Sequence, residues 1–395
     1  MKTAFHFAAI ALSLSQACHA SFGQELKAYA FGTTDIVRDA NRDRVYCAVP
    51  SQNSVVVIDS ESLEIVATLF TGSQPAALSI SIDGSKLYVA NSGSTIQGIA
   101  EVDLDALTVS KYIVTQQPPT DVTIGNGTVY SLEGSSIRAY VASDGSTKSG
   151  TLSTYSGGVS VYGGILEISP DGSILYYYQT GLSPSSWYRI NVASWPGTSI
   201  QSGTYGSNGQ DMALSSDGQW ITFASGSPYS VQKSPANNPA SVVGQMDTGA
   251  YPRAVTYSPD GTRLFAVHTQ DHIDVWNANT FVQLTPITSP GEARDLECDR
   301  KGKVLFAGTS TGLRAYLIAE SSGQPLQVEI NQAVEIRWNS ISGSLYQVEW
   351  TTPPGPQSQW HPLGAPILGN GLTMSIYDTT RTNRAKFYRV SVVNP

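Results

Sequence analysis

The 395-residue chain is 41% hydrophobic and only 14% charged, with 36 glycines, 21 prolines, a formal charge of −8 and a pI near 5.1. This composition excludes a disordered chain, which needs low hydrophobicity and high charge. With no Lys/Arg-rich run it also argues against nucleic acid and anionic membrane surfaces as partners, since both need a basic face.

The N-terminus, "MKTAFHFAAIALSLSQACHA", has a basic Lys2, an apolar run from Phe7 to Leu14 and small residues at Cys18 and Ala20. Residues 1–20 therefore read as a signal peptide cleaved after Ala20. The run is too short to span a bilayer, and no other stretch is apolar enough to be a transmembrane segment. The mature protein is expected to be secreted, periplasmic or at the cell surface. Two cysteines remain after cleavage, Cys47 and Cys298. An oxidising compartment would allow them to pair; the plainer reading is two free thiols buried as small apolar residues.

Seven segments then repeat one design: "DANRDRVYCAV" (39–49), "SIDGSKLYVAN" (81–91), "IGNGTVYSL" (124–132), "SPDGSILYYY" (169–178), "SSDGQWITFA" (215–224), "SPDGTRLFAV" (258–267) and "DRKGKVLFAG" (299–308). Anchored on Asn41, Asp83, Asn126, Asp171, Asp217, Asp260 and Lys301, they are spaced by 42, 43, 45, 46, 43 and 41 residues. A period of this length with about four short strands per unit predicts an all-β fold, a seven-bladed β-propeller over residues 25–320. In the first unit, strand A holds Ile36-Val37, strand B runs from Val45 to Val49, strand C from Val55 to Asp59 and strand D from Ile65 to Phe70. The Asp-Gly pairs are then the tight turns between strands A and B, where positive φ is needed, and not metal or substrate ligands. The last unit lacks a fourth strand after Ala319, while "LKAYAF" (26–31) is left over before the first. Ring closure by that N-terminal strand follows, since it removes an exposed edge.

After the linker "ESSGQP" come "AVEIRW", "LYQVEW", "TMSIYD" and "AKFYRVSVV", alternating apolar and polar residues between Pro/Gly loops. Residues 325–395 are expected to form a small β-sandwich of six or seven strands, with Trp338, Tyr346, Trp350 and Tyr388 in its core.

The stretch "SVVVIDSESLEIVATLFTGSQPAALSISIDGSKLYVANSGS" (54–94) resembles the repeat of YVTN-family β-propellers, with "LYVAN" carrying Ala90 where the naming motif has Thr. The likeness is close in units 1, 2 and 6 and weaker in the others, and it covers about 290 residues. The C-terminal part is similar to fibronectin-III-like modules through "YQVEW", "W-x-P-L-G" and "FYRVSVV". The resemblance implies an extracytoplasmic scaffold used for binding, with no agreed catalytic set. Related propellers include lactonases and copper-bearing nitrous oxide reductases. The copper chemistry needs many histidines, and only His268, His272 and His361 remain after signal removal.

Enzyme motifs are absent: no G-x-S-x-G, H-E-x-x-H, P-loop or C-x-x-C. His268 and His272 flank the B–C loop of unit 6, where Asp271 or Asp274 would have to complete a zinc site; the plainer reading is loop surface. One pattern survives alignment. The residue that opens strand A reads Asp35, Ala77, Asp121, Ile165, Asp211, Ala254 and Asp295 through the seven units. Four carboxylates near the mouth of the axial channel suit a hard cation such as Ca²⁺, with Arg253 and Arg294 nearby as alternative partners. The structural alternative is that each Asp accepts backbone N–H bonds from the incoming D–A loop.

Taken together, the sequence points to a secreted, non-enzymatic binding or scaffold protein for a protein or polysaccharide partner, working through the face where strands A begin. That face carries loops such as "TGSQP" (71–75) and "TGAYPR" (248–253), and the opposite face of tight hairpins offers little room. No cofactor is expected beyond Ca²⁺. The rival readings are a lactonase-like or other cation-dependent hydrolase at the axial pocket and a structural protein of the cell envelope.

Overall fold

The computed structural model describes residues 21–153, 158–270, 272–289, 293–319, 333–352, 358–379 and 386–393. The expected signal peptide and the 320–325 linker lie outside them. The chain divides into two compact units, residues 1–321 and 322–395.

Among the described residues the first unit holds seven four-stranded antiparallel sheets. In the first, Asp35–Arg38, Arg44–Val49, Ser54–Asp59 and Ile65–Phe70 are strands A to D. The seventh is completed by Glu25–Tyr29, which pairs with Leu313–Leu317, so the N-terminal strand closes the last sheet. The seven A strands are Asp35–Arg38, Pro75–Ile80, Pro119–Gly125, Ile165–Ile168, Ser207–Leu214, Pro252–Tyr257 and Asp295–Cys298. Each contacts the next, and the seventh contacts the first, so they form a closed ring. We call the sheets blades 1 to 7.

The period-2 alternation of each strand sends its side chains to two different neighbours. On strand B of blade 1, Cys47 and Val49 pack with Tyr29, Phe31 and Phe306 towards blade 7, while Tyr46 and Ala48 pack with Leu78 and Val89 of blade 2. In blade 1, strands B and C are therefore buried on both faces except at their ends, Arg44 and Asp59. Cys47 and Cys298 are free and buried, each in such an interface.

The A–B hairpins follow one rule in four blades. Ser81, Ser169, Ser215 and Ser258 accept a bond on their carbonyl from the N–H of Gly84, Gly172, Gly218 and Gly261 (2.7–2.8 Å). These glycines sit at φ of 66–70°, a conformation that costs Gly nothing. The Asp before each glycine accepts from the N–H of the residue after it at 3.0 Å and from the serine hydroxyl at 2.5–2.6 Å. The repeated motif is thus a self-contained turn. Clefts of about 410 and 340 Å³ nevertheless open between the hairpins of blades 6 and 7 and of blades 4 and 5, so this face is roomier than tight turns suggest. In the larger cleft the cations are already engaged: Arg263 donates to the Ile318 carbonyl, and Arg300 and Lys301 pair with Asp43.

The second unit has six strands among the described residues, including Ala333–Asn339 paired with Thr373–Thr379 and Leu345–Thr351 paired with Phe387–Val393. Its core is thinner than the four expected aromatics imply. Of these, Tyr346 is buried, with Val348 beside it, while Trp338, Trp350 and Tyr388 are only half-buried. Tyr388 donates to Asp378 and Trp350 carries the Lys386 ammonium 4.3 Å above its ring, so two of them serve a largely buried polar cluster rather than an apolar core.

Candidate functional site: the acid-lined lumen

The A strands enclose a cavity of about 360 Å³. Asp35, Asp121, Asp211 and Asp295 all line it, as do Glu167, Glu297 and Arg38. Neither Arg253 nor Arg294 is part of the lining. The Arg253 guanidinium lies 5.2 Å from the Tyr251 ring on the mouth loops, and Arg294 is exposed.

The four aspartates do bind backbone N–H groups, but not those of the D–A loop. Asp35 Oδ2 accepts from Leu78 N at 2.5 Å, Asp121 Oδ2 from Leu166 N at 2.6 Å and Asp211 Oδ2 from Val255 N at 2.7 Å. In each case the donor is the second residue of the aligned positions in the next blade. Oδ1 of Asp121, Asp211 and Asp295 accepts from the N–H of the following residue at 2.8 Å. Asp35, Asp121 and Asp211 thus each clip the inner edge strand of their own blade to that of the next, where edge N–H groups would otherwise lack partners. The clips run from blade 1 to 2, 3 to 4 and 5 to 6.

The fourth clip fails for a geometric reason. Alternation cannot close on a ring of seven, so blades 7 and 1 both carry Asp. The Ile36 N–H that Asp295 would need serves Asp35 instead, and Asp295 Oδ2 is buried without a partner. Burial pushes both carboxyls well above the ordinary carboxylate range; the charge of Asp121 adds to the rise of Asp35, and the charge of Asp35 to that of Asp295. Burial also raises Asp121 and Asp211 to about 7, against the pull of their N–H donors.

Two residues further along strand A the same strand face carries Val37, Ser79, Thr123, Glu167, Ala213, Thr256 and Glu297. Glu167 is held high by burial and then by the charges of Asp121, Asp211, Asp35 and Glu297. Among the described residues no donor engages it. Glu297 is bound by Arg38, Nη1 to Oε1 at 2.6 Å, and Nη2 of Arg38 reaches the Ser216 hydroxyl of blade 5 at 2.8 Å. Arg38 is near the hairpin end of strand A, so this bridge crosses the lumen at the end opposite the aspartates. Six carboxylates face one guanidinium. The signal for Glu167, Glu297 and Arg38 was present in the aligned positions two and three residues past the Asp; aligning only the first position missed it.

Above the lumen, the mouth loops carry aromatics. Tyr162 and Tyr229 are 64% and 48% exposed, and Tyr229 packs 5.8 Å from Tyr251. Gln210 Nε2 donates to the Tyr251 hydroxyl at 3.1 Å.

No protein-family profile and no curated protein matches this chain. Solved structures do. The chain is similar to hydrazine synthase of Kuenenia stuttgartiensis (17% identity, TM-score 0.61, 74% of this chain and 95% of that one). It is similar to the β-propeller domain of Cps50 (Swd1) from Myceliophteria thermophila (14%, 0.63, 75% and 99%). It is also similar to a chain of the mitotic checkpoint complex (15%, 0.62, 81% and 100%). The fold is that of a β-propeller. At these identities the likeness speaks for the fold alone, and the propeller's chemistry has to come from its own lumen and mouth.

Proposed function

We infer that this propeller is an exported, non-enzymatic binding or scaffold protein whose mouth takes a cationic group of a protein or polysaccharide partner. The observation that carries this reading is the lumen itself: six carboxylates against one arginine in a cavity of about 360 Å³, with Glu167 free of protein donors. A low-dielectric wall around like charges focuses negative potential at the opening. A cation entering it offsets the burial and the mutual repulsion that raise these carboxyls, and so favours their charged form. The ligand cation is a lysine or arginine side chain of the partner, or Ca²⁺ held between the acids. Exposed tyrosines around the opening supply contact area at low entropic cost.

The hydrolase reading draws on the values near 7 for Asp121 and Asp211, which suit acid–base work. Their oxygens, however, hold two strands together, and a proton shuttle cannot exchange those bonds freely. Binding is therefore the function we assign.

The test is a melting series at neutral pH and low salt with CaCl₂ or oligolysine as the probe. At least one should raise the melting temperature of the parent protein. Glu167→Gln, which breaks no clip, should shrink that rise. If neither probe shifts the parent, the lumen is only structural and the reading falls.

A further inference from the structure

Blade 6 carries a second cluster outside the lumen. Strand B ends at His268 and strand C begins at His272. Val267 pairs with Ile273 and Ala266 with Asp274, so the two histidines stand opposite each other and Asp274 lies diagonally on the same face. The sequence alone suggested loop surface, but His268 is wholly buried and Asp274 is 2% exposed. His272 keeps about a third of its side chain in solvent (35%). Asp271, the other acid in reach by sequence, lies outside the described residues.

The spacing of the three groups is informative. His268 Nε2 lies 3.3 Å from Asp274 Oδ2, and His272 Nε2 lies 3.5 Å from Asp274 Oδ1. The imidazoles meet edge to face with centroids 4.4 Å apart. A charge-assisted hydrogen bond between imidazole and carboxylate would close to about 2.7–2.9 Å. A tetrahedral ion with ligands at about 2.0–2.1 Å holds neighbouring ligand atoms roughly 3.4 Å apart. The observed separations, one to each carboxylate oxygen, are longer than such a bond and nearer the second spacing, and one ligand atom from each of the three residues lies within 4.8 Å of the others. Gln283 Nε2 donates to Asp274 Oδ1 at 2.9 Å, the kind of outer contact that orients a ligating carboxylate.

We propose that His268, His272 and Asp274 form a binding site for a divalent transition ion of the zinc type. Two imidazoles and one carboxylate suit Zn²⁺ rather than Ca²⁺. The three protein ligands leave one tetrahedral position, on the side where His272 reaches water. The B–C turn that carries it is on the same face as the mouth, and Thr269 N donates to the Tyr251 carbonyl at 3.1 Å, tying the turn to the mouth loops. The open position is therefore offered to a ligand arriving at that face. Without the ion, Gln270 N donates to His268 Nδ1 at 3.2 Å, which leaves the imidazole proton on Nε2. Loading moves that proton to Nδ1 and turns the Gln270 amide, on an exposed turn, out to water.

The experiment uses the full mature chain, stripped with a chelator and titrated with Zn²⁺ and Co²⁺. One equivalent of Zn²⁺ should bind, and Co²⁺ should develop the strong visible ligand-field bands of a tetrahedral site. His272→Ala, at the partly exposed ligand, should weaken Zn²⁺ binding at least about 100-fold, and Gln283→Leu about 10-fold. Asp274→Asn, which keeps the side-chain shape, guards against a folding defect and should also abolish the Co²⁺ bands. Asp295→Asn in the lumen should leave Zn²⁺ binding unchanged. Absence of binding to the parent, an octahedral Co²⁺ spectrum, or unchanged affinity in His272→Ala would overturn the site.

Discussion

Four aspartates at the lumen end of strand A and four in the A–B hairpins accept the same kind of backbone hydrogen bond, yet they titrate in opposite directions. In the hairpins, Asp83, Asp171 and Asp217 are held below the ordinary carboxylate range, first by the serine hydroxyl two residues earlier and then by the N–H of the residue two further on. Asp260 is lowered as well, although burial pushes it up more strongly, through the donors of Ser258 and Thr262. In the lumen, Asp121 and Asp211 accept two backbone N–H bonds each and still rise to about 7, because burial outweighs them. Donors stabilise a carboxylate where water completes its shell, and desolvation with like charges wins where the wall is protein. A hairpin aspartate organises a few residues of its own chain; a lumen aspartate joins strands more than 40 residues apart.

This contrast can be broken most directly by deletion. Asp211→Ala leaves the N–H groups of Met212 and Val255 without their acceptor and should cost about 3 kcal/mol in denaturant melts. Asp260→Ala, at a turn open to water, should cost about 1 kcal/mol. Equal losses would mean that the clip between blades contributes no more than a local turn.

The pH dependence should sharpen it. Asp121 and Asp211 have folded values near 7 against an ordinary value of 3.8, so between those limits the native state binds more protons than the unfolded chain. Their contribution is fully present below pH 4 and is lost as pH rises towards 7. The hairpin aspartates, with depressed values, contribute above pH 4 and lose that contribution as pH falls through their folded values. Melting temperature should therefore pass through a maximum in mild acid. In Asp121→Asn/Asp211→Asn the decline between pH 4 and 7 should flatten while the acid limb stays. A decline as steep as the parent's would refute the assignment of these two groups.

The smallest effect is expected at the failed clip. Asp295 Oδ2 has no partner and feels Asp35, so Asp295→Asn should raise the melting temperature by a few degrees at pH 7 and change nothing at pH 4. A loss of stability at pH 7 would show that Asp295 holds a clip after all.

Much of the propeller was legible because its signals are local. The turn anchors recur every 41–46 residues, four of them as Ser-x-Asp-Gly, strand B is a largely apolar run, and a spare strand at one end matches a missing one at the other. The alternating aspartates were legible too, once the blades were aligned. The donor each one serves was not, because Leu78, Leu166 and Val255 lie 43 to 45 residues away and nothing in their side chains marks their N–H groups. Arg253 and Arg294 were attractive partners by proximity in sequence, but neither lines the lumen: Arg253, on strand A of blade 6, lies over the Tyr251 ring, and Arg294 is exposed. Arg38, three residues past an aspartate on an alternating strand, is the cation that reaches it.

The sequence by itself determined the repeat, the turn chemistry and the closure of the ring, all of which follow from spacing and from what single residues do to their own backbone. Tertiary structure alone decided which charges meet. It made a lumen in which six carboxylates share one arginine, and it buried His268 with Asp274 while leaving His272 in reach of water. The reason is that burial and Coulomb energy depend on distances between blades, and those distances exist only once seven sheets have closed on one another.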